Sequence, residues 1–148
     1  MSKISIYSLK LIKESTAEYN VPQKVDSPQN TYDLFNNVLD ISSNAEEVLA
    51  MATLDTKLHV SGVFIVSRGT VNCSMVHPRE VFKRAILQNA SCIVLAHNHP
   101  SGDSTPSEED IKVTKRLKEC GELIGIDLLD HLVIGDEEYT SMKEKHVI

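Results

Sequence analysis

The sequence predicts a mixed α+β fold: a curved, largely antiparallel sheet flanked by helices. Three observations predict it. Apolar runs of strand length follow one another from Val48 to Val76 across short polar turns. Stretches with apolar residues three and four apart stand on either side of them. An almost wholly apolar run, Cys92 to Ala96, lies between two such helical stretches, as a buried strand would.

In chain order, Ile4, Ile6, Leu9 and Leu11 alternate in part with polar residues and predict a first strand over Ile4–Ile12. The polar stretch 14–30, with Pro22 and Pro28, reads as a connection. Tyr32, Leu34, Phe35, Val38 and Leu39 have helical spacing, which predicts a helix over Thr31–Leu39 that ends before Ser42, Ser43 and Asn44. Val48–Leu54 is the next strand. Asp55-Thr56-Lys57 turns the chain into Leu58–Val66, and Arg68-Gly69 turns it again into Thr70–Val76. Pro78 opens a helix with an apolar stripe of Val81, Phe82, Ala85 and Ile86, and Asn89-Ala90 closes it. After the strand at Cys92, a helix runs from Pro106 to Cys120 with Ile111, Val113, Leu117 and Cys120 inward and Gly121 as its stop. Thr105 is its predicted cap, with Glu108 closing a capping box. Ile126–Ile134 is the last strand, its pattern interrupted at Asp130-His131.

A chain of 148 residues with 41% hydrophobic content can bury one core, so 1–148 reads as a single domain, residues 1–30 being a strand plus a polar connection. Net charge is −6 and no basic run exceeds two residues, which argues against a nucleic-acid footprint. A local patch of Arg79, Lys83 and Arg84 reads as the solvated face of a helix. The three cysteines form no CxxC pair; Cys92 and Cys120 read as buried free thiols, and a reducing cytoplasm is the expected compartment. No apolar run approaches the length of a membrane span.

The chemistry concentrates in residues 97–110. A strand alternates sides, so His97 and His99 leave the same face and Asn98 the other. Pro100 and Gly102 turn the chain, and Asp110 comes in the first turns of the next helix, on the same helix face as Ser107. Two imidazoles and a carboxylate leave one position open, the pattern of a catalytic zinc rather than a closed structural site. The same donor set also suits non-haem iron. A bound water needs a base, and Glu46 and Glu47 stand just before Val48; spacing alone does not choose between them. Ser107 could donate to a developing oxyanion or simply serve the helix end. His77, before a helix, reads as a capping or turn residue rather than a ligand. Asp130-His131 reads either as a pair that orients a metal ligand or as a structural pair.

His97-Asn98-His99-Pro100 with Ser107 and Asp110 resembles the JAMM pattern of the MPN/JAB metalloprotease superfamily. Together with Ser67-Arg68-Gly69-Thr70, the run from Val76 to Lys83 and the run from Leu128 to Gly135, the chain is similar to RadC-type JAB domains from about residue 30 onward. The resemblance implies a JAB1/MPN-like, cytidine-deaminase-like fold. It implies one Zn²⁺ per chain held by His97, His99 and Asp110, a catalytic Glu47, and Ser107 as support for the tetrahedral intermediate. It also implies hydrolysis of peptide or isopeptide bonds, and hence a peptide or protein substrate. The family's DNA-repair label implies DNA as an alternative partner. A helix-hairpin-helix segment, carried by longer members, is not expected in residues 1–30. A non-catalytic, zinc-stabilised interaction module is the third reading.

Overall fold

A computed structural model describes residues 1–69 and 76–148. Among the described residues, five strands and three helices account for the regular structure: α1 Pro28–Leu39, β1 Glu47–Leu54, β2 Val60–Gly69, α2 Pro78–Leu87, β3 Cys92–Asn98, α3 Glu108–Ile124, β4 Asp127–Ile134 and β5 Tyr139–Ser141, with a short 3-10 turn at Ile41–Ser43. The strand predicted over Thr70–Val76, and Cys73 with it, falls for residues 70–75 outside the described residues.

The sheet has the order β2-β1-β3-β4-β5. β3 and β4 run parallel and are joined through α3, as a parallel pair requires a crossover; the other pairings are antiparallel. The expected mixed class and largely antiparallel sheet are therefore what the chain adopts. β3 is central and buried at every position, which is why its first five residues, Cys92 to Ala96, are an unbroken apolar run rather than an alternation. Helices cover both faces. Leu34 and Phe35 of α1 pack with Val48, Ala50, Ala52, Val94 and Ala96 on one face. Val81 and Phe82 of α2 and Val113 and Leu117 of α3 pack with Leu49, Met51, Ile93 and Leu95 on the other. His97 follows Ile93 and Leu95 in steps of two, so the strand's period delivers it to the α3 face.

β4 carries a one-residue register shift against β3: Ile93 is opposite Leu128, but Val94 is opposite Asp130. The extra residue, Leu129, lets Leu128 and His131 face the same side although they are three apart. This explains the interruption in the sequence pattern at Asp130-His131.

Several boundaries differ from expectation. Residues 1–20 are exposed and form no strand; the apolar side chains of Ile4, Ile6 and Leu9 meet nothing that would bury them. α1 begins three residues early. Ser27 caps it by accepting from the Asn30 amide at 3.2 Å, and Pro28 is its first residue, a position that needs no amide hydrogen, rather than part of the connection. β2 continues through Arg68 and Gly69, which pair with Val48 and Glu47 instead of turning. α2 carries its stripe on Val81, Phe82 and Ala85, but Ile86 is exposed. Its Lys83 and Arg84 share the one carboxylate of Glu80, which offsets one of the three charges of the candidate basic patch. Cys92 is buried and Cys120 half-buried, both free.

α3 runs on past Gly121 and stops at Gly125, whose φ of 85° is left-handed. Gly121 has a packing role: a Cβ there would lie 2.5 Å from the Ile126 carbonyl oxygen. Gly121→Ala is expected to push α3 off β4 and cost about 1–3 kcal/mol, an overpacking effect. Urea unfolding checks this, since an unchanged midpoint would mean that the helix and strand tolerate separation.

Candidate metal centre

His97 and His99 come from the end of β3 and the residue after it, and Asp110 from the first turn of α3. His97 and Asp110 are almost wholly buried, whereas the His99 side chain is 16% exposed and marks the side open to solvent. His97 Nε2 lies 3.1 Å from His99 Nε2. Asp110 Oδ2 is 3.4 Å from the first and 3.2 Å from the second. Tetrahedral zinc with bonds of about 2.0–2.1 Å separates its donor atoms by about 3.3 Å. The three distances match that spacing, so the donor set fits such an ion. Among the described residues this trio is the group of His, Cys, Asp and Glu with donor atoms close enough to share one.

The other nitrogen of each ring is tied away from the site. His99 Nδ1 donates to the Asp103 carbonyl at 2.8 Å, and His97 Nδ1 meets His131 Nε2 at 2.8 Å. Both Nε2 atoms are thereby left to face Asp110. The loop between them and α3 is held from the far side. His99 N donates to the Ile134 carbonyl, Asp136 N to the Gly102 carbonyl and Ser104 N to Glu138 Oε1. Gly135 lies so close to Gly102 O and Ser104 N that no side chain fits there.

The electrostatics follow from this crowding. Burial acts to raise the Asp110 pKa, but the two imidazoles packed against the carboxylate, with the Ser107 amide, outweigh it and hold the carboxyl well below the usual range. His99 is raised, chiefly by its hydrogen bond to Asp110 and against the opposing effect of burial, with Glu47 adding a smaller push. His131 is lowered well below an ordinary histidine, first because it is buried, and stays neutral.

β1 pairs with β3, so the adjacency on which Glu46 and Glu47 depended is present. Leu49 is opposite His97; two residues earlier, Glu47 shares its face, the α3 side, and its charge reaches His99. Glu46 precedes the strand and turns its carbonyl to Asn98.

Ser107, not Thr105, caps α3. Its Oγ accepts from the Asp110 amide at 3.0 Å, and its own amide donates to Asp110 Oδ2 at 2.9 Å, so the capping box uses Asp110 rather than Glu108. Thr105 is drawn into a turn on Asp103 instead. One carboxylate oxygen thus both closes the cap and faces the histidines, which fixes its rotamer. His77 stands before α2 with no side-chain cap.

Sequence reasoning did not find Asn98. Its side chain is buried on the face away from the histidines, where Oδ1 accepts from Val48 N at 2.7 Å and Nδ2 donates to the carbonyls of Asn44 and Glu46. It grips the backbone on both sides of Glu47. Asn98→Ala is expected to cost about 1–3 kcal/mol for the buried groups it orphans. Hydrogen exchange at Val48 should rise with it; an amide as protected as in the wild type would contradict this role.

Asp130-His131 divides its two readings between its members. The Asp130 carboxylate accepts from Ser141 Oγ and from the amides of His131 and Lys143, a structural set on the β4–β5 side. The His131 ring contacts His97 and Thr114 instead.

Residues 25–147 match the family described as RadC-like JAB domain. The chain belongs to the RadC-like JAB domain family. This RadC-like JAB domain is 52% identical over 126 residues to a UPF0758 protein of Clostridium botulinum (strain Okra / Type B1), covering 84% of the chain and 54% of that protein. It is 46% identical over 125 residues to a UPF0758 protein of Clostridium beijerinckii (strain ATCC 51743 / NCIMB 8052), with the same coverage of each. The RadC-like JAB domain therefore spans about half the length of the curated relatives it matches. No helix among its described residues is long and apolar enough to cross a membrane.

Proposed function

We propose that this RadC-like JAB domain is a zinc-dependent hydrolase of peptide or isopeptide bonds in a protein substrate. The observation that carries the reading is the mutual spacing of His97 Nε2, His99 Nε2 and Asp110 Oδ2, with each ring's second nitrogen already engaged. His97, His99 and Asp110 would hold the ion. Zinc bound by two neutral imidazoles and one carboxylate lowers the pKa of a coordinated water to about 7 and polarises a carbonyl.

The chain's own residues supply the rest. Glu47 takes the proton from the attacking water and returns it to the departing nitrogen, the work of a general base that becomes a general acid. Ser107 spends a lone pair on the Asp110 amide, so its hydroxyl hydrogen remains to donate to the oxygen on which charge develops. Its cap also holds Asp110 in place. Incubating zinc-loaded protein with peptide and isopeptide libraries, read by mass spectrometry, tests the reading. Chelator-sensitive cleavage is expected; no cleavage by protein with stoichiometric zinc would exclude it.

Metal binding should depend on pH in a definite direction. Without metal, the His99–Asp110 pair stabilises the fold fully below the ordinary histidine value of about 6.5 and ceases to do so as pH rises through the raised His99 value. A metal cation displaces that proton, so apparent affinity falls as pH is lowered through this range. Calorimetry of zinc uptake in buffers of differing ionisation enthalpy should register proton release; uptake without it would contradict the assigned ligand state.

A further inference from the structure

We infer that His131 and Thr114 are positioning residues that fix the tautomer and ring orientation of His97, so that its Nε2 is the nitrogen presented to the metal. The inference rests on the reading of His97, His99 and Asp110 as a metal site and adds two residues on different elements that touch no substrate.

Donor and acceptor chemistry leaves one assignment for the chain of contacts. Thr114 Oγ1 lies 2.6 Å from the Asp110 carbonyl oxygen, which can only accept, so the hydroxyl hydrogen goes there. The same oxygen lies 2.7 Å from His131 Nδ1 and must accept, so His131 carries its hydrogen on Nδ1. A neutral ring with hydrogen on Nδ1 has a bare Nε2, 2.8 Å from His97 Nδ1. His97 therefore donates through Nδ1, and its own Nε2 is bare on the side of His99 and Asp110. All three side chains are buried, so no solvent can satisfy an alternative arrangement. The chain starts on the main chain of Asp110 and ends on the ring that faces the Asp110 carboxylate. One residue thus offers a donor atom and sets the tautomer of its neighbour.

The bulge in β4 makes this possible. Were Leu129 paired in the ladder and not bulged, unbroken alternation from Leu128 would turn residue 131 to the α1 face, away from both Thr114 and His97. Thr114 in turn lies one helical turn after Asp110 on the buried side of α3.

Thr114→Val removes the hydroxyl at nearly constant shape. His131 Nδ1–H then lacks an acceptor, the ring favours hydrogen on Nε2, and His97 loses the acceptor that held its tautomer. Competition between the protein and a chelator for zinc is expected to show affinity weakened about 10- to 100-fold. Thr114→Ser, which restores a hydroxyl, should return it to within about threefold of the wild type, a rescue that loss of packing alone would not give. His131→Gln, whose carbonyl can accept from His97, should retain more affinity than His131→Leu.

Long-range ¹H–¹⁵N spectra of the zinc-loaded wild type supply a readout that does not depend on any variant folding. They should show hydrogen on Nδ1 of both His97 and His131. Hydrogen on Nε2 of His131, or a Thr114→Val protein that binds zinc as tightly as the wild type, would overturn the inference while leaving the metal site intact. A wild-type protein that takes up no zinc would remove the site reading and this inference with it.

Discussion

Glu47→Gln is expected to bind zinc as the wild type does and to lose about 10²–10⁴-fold of its hydrolytic rate, the usual contribution of a general base. The substitution keeps side-chain length and hydrogen-bonding capacity and removes only the ability to take a proton. Position supports the assignment. Glu47 opens β1, which lies against β3, and it shares the face on which His97 is found. Asn98 holds the backbone on either side of it. The fold should not change, because Glu47 is only partly buried and none of the hydrogen bonds that organise the loop or α3 uses its side chain. Single-turnover cleavage of whichever peptide or isopeptide the library screen selects is the measurement. A fully active, zinc-loaded Glu47→Gln protein would exclude Glu47 as the base and turn attention to another carboxylate.

His97→Ala is expected to abolish stoichiometric zinc. The loss should exceed the roughly 10- to 100-fold that removing an outer partner costs, because a donor atom itself is gone. The fold pays as well: His97 is wholly buried, and its loss leaves His131 Nε2 without a donor in a dry interior. Asp110→Asn separates the two effects. The amide oxygen can still accept from the Ser107 amide and keep the α3 cap, so above the raised His99 value, where the His99–Asp110 pair no longer contributes, stability should hold while metal affinity falls. Elemental analysis after dialysis, with thermal melts beside it, reads both quantities. Zinc retained at one equivalent in His97→Ala would rule that ligand out.

Much of this architecture is legible in the sequence. Cys92–Ala96 reads as a buried strand because a central strand is apolar on both faces, and the strand runs on to Asn98. The pairing of His97 with His99 follows from a period of two. Asp110 and Ser107 follow from their spacing of three at a helix start. The partners behind the site are less legible, because they depend on sheet order and on a bulge. Nothing in the sequence says that β4 lies beside β3, or that the extra Leu129 turns His131 inward. Asn98 points away from the histidines as alternation requires, but its grip on Glu46 and Val48 depends on the β1–β3 register. The start of α3 differs from the expected Thr105 cap for a local reason. Thr105 is a good cap residue, as Ser107 is, but the Asp103–Thr105 turn takes Thr105 and leaves the cap to Ser107. The Ile4–Ile12 alternation has the pattern of a strand, but a strand also needs a partner for its hydrogen bonds, and a sequence pattern cannot supply one.

Zinc K-edge X-ray absorption on the fully loaded protein tests the central claim most directly. The account predicts about four nitrogen or oxygen donors at about 2.0–2.1 Å, with the outer-shell scattering of two imidazoles and no sulfur. A shell containing sulfur at about 2.3 Å, or three or more imidazoles, would contradict it.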